Sequence, residues 1–301
     1  MPLLLTRRDL ETVFADPEFL EQAFQIAQDL VLGTHPARST SITLPLAQRG
    51  PGLNLHLRAP EREGLCVGLR VGPAHGPYAT DLAELLVAPD DGALLALAAA
   101  DTLDAWRRTV PSGLAARYLA PAAARSLGVF GADVAAWSAL SVLTRALPSL
   151  SVVRIYSSDT ARARRLAGTA AQRTGIAVTA ETSPRATVAR ADIVAVTTDH
   201  DAVAVDTAWL PDGALLITQV PVPAGDTAKH RSVTAAASAR QAGHPHATLA
   251  DIMAGREPPR TRSTQTLVYL ADDVDGWDLA MQTWTLRRAW QLNIGQPFGL
   301  D

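Results

Sequence analysis

Apolar positions along the chain alternate between strand-like and helix-like spacings, and the changes of spacing mark out its elements. The run Leu3-Leu4-Leu5 predicts a short strand. Thr6 with Asp9 three residues on predicts a helix start, and the pattern from Pro17 to about Leu32 predicts a second helix ended by Gly33. Short segments at Ser41 to Leu44, Leu53 to Leu57 and Leu65 to Val71, separated by Gly, Pro and charged residues, predict antiparallel strands. Leu82 to Ala88 and Ala93 to Ala98 flank Pro89-Asp90-Asp91-Gly92, a turn sequence that predicts a hairpin.

From Asp101 a helical pattern carries Leu103, Trp106, Arg107 and Arg108, and it resumes from Ser112 through Leu119 into the Ala-rich Pro121 to Arg125. Strands then alternate with helices as a parallel sheet requires: strand 126–131, helix 134–147, strand 152–156, helix 159–173, strand 176–179, helix 184–190, and strands 192–197 and 213–219. This is a Rossmann-like series. Thr227 to Arg240 and Leu249 to Gly255 read as helices, Thr266 to Leu270 as a strand, and Trp277 to Leu292 as an amphipathic helix with three tryptophans. The Pro/Arg/Thr-rich Glu257 to Thr264 reads as a surface loop, and no internal repeat is visible.

Composition narrows the class. At 301 residues, 48% hydrophobic and 19% charged, the chain has the make-up of an ordinary globular protein with a substantial core. A net charge of -3 gives no general attraction to nucleic acid or to an anionic membrane. A single cysteine, Cys66, excludes an intramolecular disulfide framework and a cysteine-based zinc site. The opening apolar run is too short for a secretory signal, and no stretch reaches membrane-spanning length without charges or prolines, so a cytoplasmic protein is expected. His244-Pro245-His246 has no neighbouring ligands and reads as a surface turn, and Asp272, Asp273, Asp275 and Asp278 read as helix-start charges; no metal is expected.

The candidate chemistry centres on Leu127-Gly128-Val129-Phe130-Gly131-Ala132-Asp133-Val134-Ala135-Ala136, where a buried strand turns into a helix. A dinucleotide-binding crossover wants G-x-G-x-x-G/A at this place. Gly131 and Ala136 fit the first and third positions, and Asp133 stands at the second. Its carboxylate would face phosphate oxygens at a helix N-terminus otherwise suited to anions; the alternative is that Asp133 caps its own helix.

Several strings together resemble the ornithine cyclodeaminase/mu-crystallin family over nearly the whole chain. They are Asp90 to Leu97 followed by Leu103-Asp104-Ala105-Trp106-Arg107, Ser112 to Ala120 followed by Leu127 to Ala132, and Ala191-Asp192-Ile193-Val194. The resemblance implies an α/β fold: a Rossmann-like NAD(P)-binding domain, residues 121–277, inserted in a discontinuous α+β substrate-binding and dimerisation domain, residues 1–120 plus 278–301. It also implies a homodimer, whose interface is expected to use the apolar N-terminal strands and the final helix with Trp277, Trp284 and Trp290. The implied activity is that of an NAD(P)-dependent oxidoreductase or cyclodeaminase-like enzyme on a small carboxylate-bearing amine or imine. The alternatives are a catalytically silent member acting as a carboxylate-binding or scaffold protein, and an enzyme with a changed, non-redox reaction.

Carried over by position, Arg38 and Arg107 match the pair that clamps the substrate carboxylate, a geometry suited to guanidinium forks, although Arg107 also reads as a solvated helix residue. Cys66 stands where the family has its catalytic lysine, with Arg70 two positions beyond Gly68 on the same strand face. Arg70 can replace the lysine's charge but not its proton transfer, and Cys66 is either a nucleophile or a small buried core residue. Val222 stands at the family's aspartate, with Asp226 four residues on. Gly131, Ala132, Asp133, Val134 and Thr197 fall where the cofactor is expected. Ser157, Ser158 and Arg162, after the second strand, offer no carboxylate for a ribose hydroxyl and suit a 2′-phosphate, which favours NADP, unless they form a solvated basic helix start.

Overall fold

Thr6 and Asp16 start the first two helices by the same chemistry, a side-chain oxygen accepting from the first turn. A computed structural model of the chain describes residues 1–34, 39–45, 53–60, 66–73, 83–198, 201, 205–218, 230–235, 247–271 and 274–299. After strand β1 (Leu3–Leu5), Thr6 and Asp9 form a capping box at helix α1 (Arg7–Ala15). Asp16 accepts from Phe19 N at 3.0 Å to cap α2 (Pro17–Val31), whose first position is a proline with no N–H to satisfy. Strands β2 (Ser39–Pro45), β3 (Leu53–Pro60), β4 (Val67–Pro73), β5 (Ala83–Val87) and β6 (Leu94–Ala99) pair antiparallel in sequence order, and β1 joins β6 in parallel.

Helix α3 (Ala100–Leu119) follows directly and runs unbroken through Pro111, so the two expected helical pieces are one. The Ala-rich stretch after it is a turn rather than helix, with Ala124 N donating to Pro121 O. Proline at 121 disfavours helical backbone at the residue before it.

The nucleotide-type part contains β7 (Ser126–Phe130), α4 (Val134–Ala146), β8 (Val152–Tyr156), α5 (Thr160–Thr174), β9 (Ala177–Glu181), α6 (Pro184–Ala189), β10 (Ile193–Val196), β11 (Leu215–Thr218), β12 (His230–Thr234), β13 (Ala247–Thr248), α7 (Leu249–Met253) and β14 (Thr266–Leu270). Its sheet has the order β13-β12-β14-β11-β10-β7-β8-β9, with every neighbouring pair parallel. Every residue of β10 and β11 is buried, as expected of strands covered on both faces. The expected helix from Thr227 to Arg240 is overturned over its described part: His230–Thr234 is strand β12, paired with β14 and β13. Its β-branched Val233 is fully buried, so sheet pairing there overrides helical spacing.

The chain then returns through α8 (Trp277–Leu292) to β15 (Gln296–Pro297), which pairs with β1 and completes a seven-stranded sheet, β15-β1-β6-β5-β4-β3-β2. Two compact units result: Met1–Arg107 with Val274–Asp301, and Arg108–Asp273 between them in sequence. Of the three α8 tryptophans, Trp277 and Trp284 pack within their own unit. Trp277 is buried and donates to Arg107 O at 2.7 Å, while Trp284 donates to Phe19 O at 3.0 Å and stacks on the Phe19 ring. Trp290, 40% exposed, is the one of the three left at the surface. Among the described residues no helix is long and apolar enough to cross a membrane.

Candidate functional site

Strands β7 and β10 are neighbours, and the chain runs from β7 to β8 on one side and from β10 to β11 on the other, so their C-terminal ends form a topological switch point of the kind that binds ligands. Gly131 ends it with φ 132°, where an added Cβ would run into Thr197 Oγ1. Thr197 is buried and bridges β10 to β7, its Oγ1 and N donating to Phe130 O at 2.9 and 3.1 Å. Gly128 serves packing: a Cβ there would lie 2.8 Å from Thr187 O on α6. Ala132 and Val134 flank Asp133, which is exposed and caps α4 by accepting from Ala136 N at 3.0 Å. The carboxylate is thus turned onto its own helix amide, as the capping alternative requires.

At the end of β8, Ser157 is buried and its Oγ accepts from Asp159 N at 3.3 Å. Ser158 N donates to Asp201 Oδ1 at 3.0 Å. Asp159 caps α5 through Arg162 N at 3.0 Å and also lies 3.2 Å from the Arg162 guanidinium, with both side chains well exposed. At the opposite end of the sheet Asp192 accepts from Arg125 N, Ser126 N and Ser126 Oγ at 2.7 to 2.9 Å. Burial alone would raise its pKa, but those hydrogen bonds and the Arg154 charge outweigh it and hold the carboxyl below its usual value.

In the other unit, strand alternation turns Cys66, Gly68 and Arg70 to one buried face, and Glu84 and Leu86 of β5 are buried with them. Asp104 on α3 is 1% exposed, lies 2.8 Å from Arg70 Nη1, and accepts from Arg107 one turn on. Arg107, 5% exposed, pairs through its other terminal nitrogen with Asp278 on α8. Gln282 donates to Glu84 and covers Gly68, where a Cβ would come within 2.5 Å of the amide oxygen. Arg107 is therefore no solvated helix residue: burial would lower its pKa, but Asp104, Asp278 and Glu84 raise it further, so it stays charged.

Cys66 is 1% exposed with its Sγ 3.6 Å from Thr283 Oγ1. Burial pushes its thiol up to about 11, against the smaller downward pulls of Thr283 and Arg287. It is a protonated core thiol at neutral pH, which argues against the nucleophile reading. The sequence pattern marks none of Asp104, Glu84 and Gln282 as a site residue and gives Asp278 only as a helix-start charge. Two signals were present: Asp104 precedes Arg107 by one helical turn, and Glu84 shares its strand parity with Leu86.

Arg38, Val222, Asp226 and the His244 and His246 pair lie outside the described residues. So does Lys229, the only lysine in the chain. Among the described residues no group of three histidines, cysteines or carboxylates could hold a metal ion.

The sequence model of the ornithine cyclodeaminase/mu-crystallin family matches residues 77–282. A putative dehydrogenase of Rhizobium meliloti (strain 1021) is 27% identical over 219 residues, 64% of this chain, and the match spans 65% of that protein's own length. Two solved structures superpose over essentially the whole chain. The Δ1-pyrroline-2-carboxylate reductase of Thermococcus litoralis, in complex with NADH and L-proline, has a TM-score of 0.79 at 20% identity, covering 98% of this chain and 100% of that one. A probable ornithine cyclodeaminase of Bordetella pertussis Tohama I has a TM-score of 0.74 at 22% identity, covering 99% and 100%. At these identities the structural likeness establishes an α/β, Rossmann-like fold and leaves the reaction to be argued from the site.

Proposed function

Because this chain belongs to the ornithine cyclodeaminase/mu-crystallin family, we propose that it is an NAD(P)-dependent oxidoreductase or cyclodeaminase-like enzyme acting on a small amino or imino acid. The observation that carries this reading is the switch point at the end of β7, with Gly131 at φ 132° held against Thr197 and the N-terminus of α4 following at once. The residues there fit a dinucleotide in backbone and size: Gly131, Ala132 and Ala136 are small, and the Asp133 carboxylate is turned onto Ala136 N. Gly131, Ala132 and Val134 would hold the pyrophosphate and Thr197 the far side of the turn. A nicotinamide, when bound, supplies the hydride donor or acceptor.

The chain's own part in such a reaction differs from the family pattern. Arg107 would bind the substrate carboxylate, with Asp104 fixing its fork from one side, and the ligand would have to take the place of Asp278, whose side chain is 19% exposed. Cys66 holds its proton and gives no base. A proton would have to pass to Asp226, or to water. Titration with NADH and NADPH, followed by nicotinamide-absorbance assays with Δ1-pyrroline-2-carboxylate and with pyruvate plus ammonium, tests the reading: binding with turnover supports it, and absence of dinucleotide binding ends it.

A second reading is favoured by the internal filling of Arg107: a silent member that binds a carboxylate or serves as a scaffold. Dinucleotide binding without turnover on any small amino or imino acid would select it. We infer a homodimer from the family alone; Trp290 and Leu292, the exposed apolar end of α8, are its candidate contacts.

A further inference from the structure

A ribose 2′-phosphate is held, in folds of this kind, by donors at the turn after the second parallel strand. In this chain that turn is Ser157-Ser158-Asp159 between β8 and α5, and one amide within it and one in the first turn of α5 already donate to carboxylates. Ser158 N donates to Asp201 Oδ1 at 3.0 Å, and Arg162 N donates to Asp159 Oδ1 at 3.0 Å. The Asp201 side chain reaches this turn from beyond β10, on the other side of β7 in the sheet, and is 4% exposed. Its second oxygen lies 3.4 Å from Thr198 Oγ1. The Arg162 guanidinium sits 3.2 Å from Asp159.

We propose that Asp201 is a cofactor-specificity residue: an internal carboxylate standing where the 2′-phosphate of NADP(H) would need a donor, so that the chain selects NAD(H). The inference rests on the dinucleotide reading of the preceding subsection and replaces the preference for NADP drawn from Ser157, Ser158 and Arg162. A 2′-phosphate entering this turn finds Ser158 N bound to one anion and Arg162 beside another. It meets two like charges and loses the amide it would need. A plain ribose hydroxyl brings no charge and can still donate to a carboxylate oxygen.

The test is equilibrium titration of the full chain with NADH and NADPH, read by nicotinamide fluorescence, for wild type and Asp201→Asn. The asparagine oxygen can keep the Ser158 bond while the charge goes. Wild type should bind NADH at least about tenfold tighter than NADPH; Asp201→Asn should gain about fivefold or more for NADPH and change by less than about twofold for NADH. Competition by 2′,5′-ADP against 5′-AMP gives the same ratio on wild type alone and decides the matter if the variant melts early. Comparable tight binding of both cofactors to wild type, or a ratio unmoved by Asp201→Asn in a folded variant, overturns the role of Asp201 and leaves the dinucleotide reading standing. Failure of wild type to bind either cofactor overturns both.

Discussion

Asp104 lies one turn ahead of Arg107 on α3, and its Oδ1 serves both that guanidinium and, at 2.8 Å, Nη1 of Arg70 on β4. One buried oxygen thus anchors two buried cations from different elements. Charges with so little exposure persist only when paired, which makes this residue the electrostatic centre of its unit. Removing it alone takes a buried carboxylate from both guanidiniums, and Arg107 keeps only its pairing with Asp278 of the two described above. Asp104→Ala should lose about 3–5 kcal/mol of stability, the scale for breaking a buried pair from one side. Urea unfolding measures it, and a loss below about 1 kcal/mol would mean that the arginines are satisfied without Asp104.

Asp278 is the more exposed of the two carboxylates on Arg107, at 19% against 1%. It is therefore the one a substrate would displace. If Arg107 is the substrate clamp, Asp278→Asn should tighten binding of L-proline or pyruvate by about tenfold, about 1.4 kcal/mol, because an internal competitor has gone. Adding Arg107→Lys should reverse the gain, since a point charge replaces a bidentate fork. Calorimetric titration of the two variants checks this; indifference of the ligand to both changes would leave Arg107 a structural cation.

Cys66 gives a prediction at alkaline pH. Its pKa is raised from 9.0 to about 11 in the folded chain, so the folded state keeps the proton after the unfolded state has released it. The contribution is fully present below about pH 9 and is lost as pH rises from there towards about 11, amounting to about 2–3 kcal/mol over the window. Cys66→Ala should flatten that part of the stability curve. Denaturant midpoints at several pH values would show it, and equal slopes for variant and wild type would mean that the thiol is more open than its 1% exposure indicates.

Asp192 acts in the opposite sense. Its folded pKa lies below its unfolded value, so its contribution is present above the unfolded pKa and fades as pH falls through the folded one. Asp192→Ala should cost about 1–2 kcal/mol at neutral pH, because Arg125 N and Ser126 N lose their acceptor, and the variant should approach wild type in acid. A difference that stays constant down to low pH would mean that packing, not the carboxylate, sets the loss.

The alternating elements are legible because periodicity reports burial, and burial is what a two-sided parallel sheet imposes on β7, β10 and β11. The spacing failed at His230–Thr234, where only neighbouring strands far away in sequence make a strand of five ambiguous residues. Asp133 as a cap could be read from its place before an apolar run. Asp201 could not: it acts across the sheet on Ser158, forty-three residues back, and no local pattern encodes that pairing. The filling of Arg107 was half legible, since Asp104 is a helical neighbour while Asp278 arrives from the far end of the chain.

Asp133 is where structure and proposed cofactor pull against each other, and two substitutions separate the forces. Its carboxylate caps α4 through Ala136 N at 3.0 Å, and the residue is extended, with φ -114° and ψ -165°, a backbone that any residue tolerates. Asp133→Asn can keep the cap and remove only the charge, while Asp133→Gly removes charge and bulk for a few tenths of a kcal/mol of helix stability. If the carboxylate opposes a pyrophosphate at this N-terminus, both variants should bind NADH more tightly, Asp133→Gly by at least about tenfold, about 1.4 kcal/mol. A gain in glycine alone would assign the obstacle to the side chain's volume, and equal gains in both would assign it to charge. Tight binding by wild type with no gain in either variant would show that the cap already turns Asp133 out of the cofactor's way, so that the departure from the glycine motif costs the chain nothing in affinity.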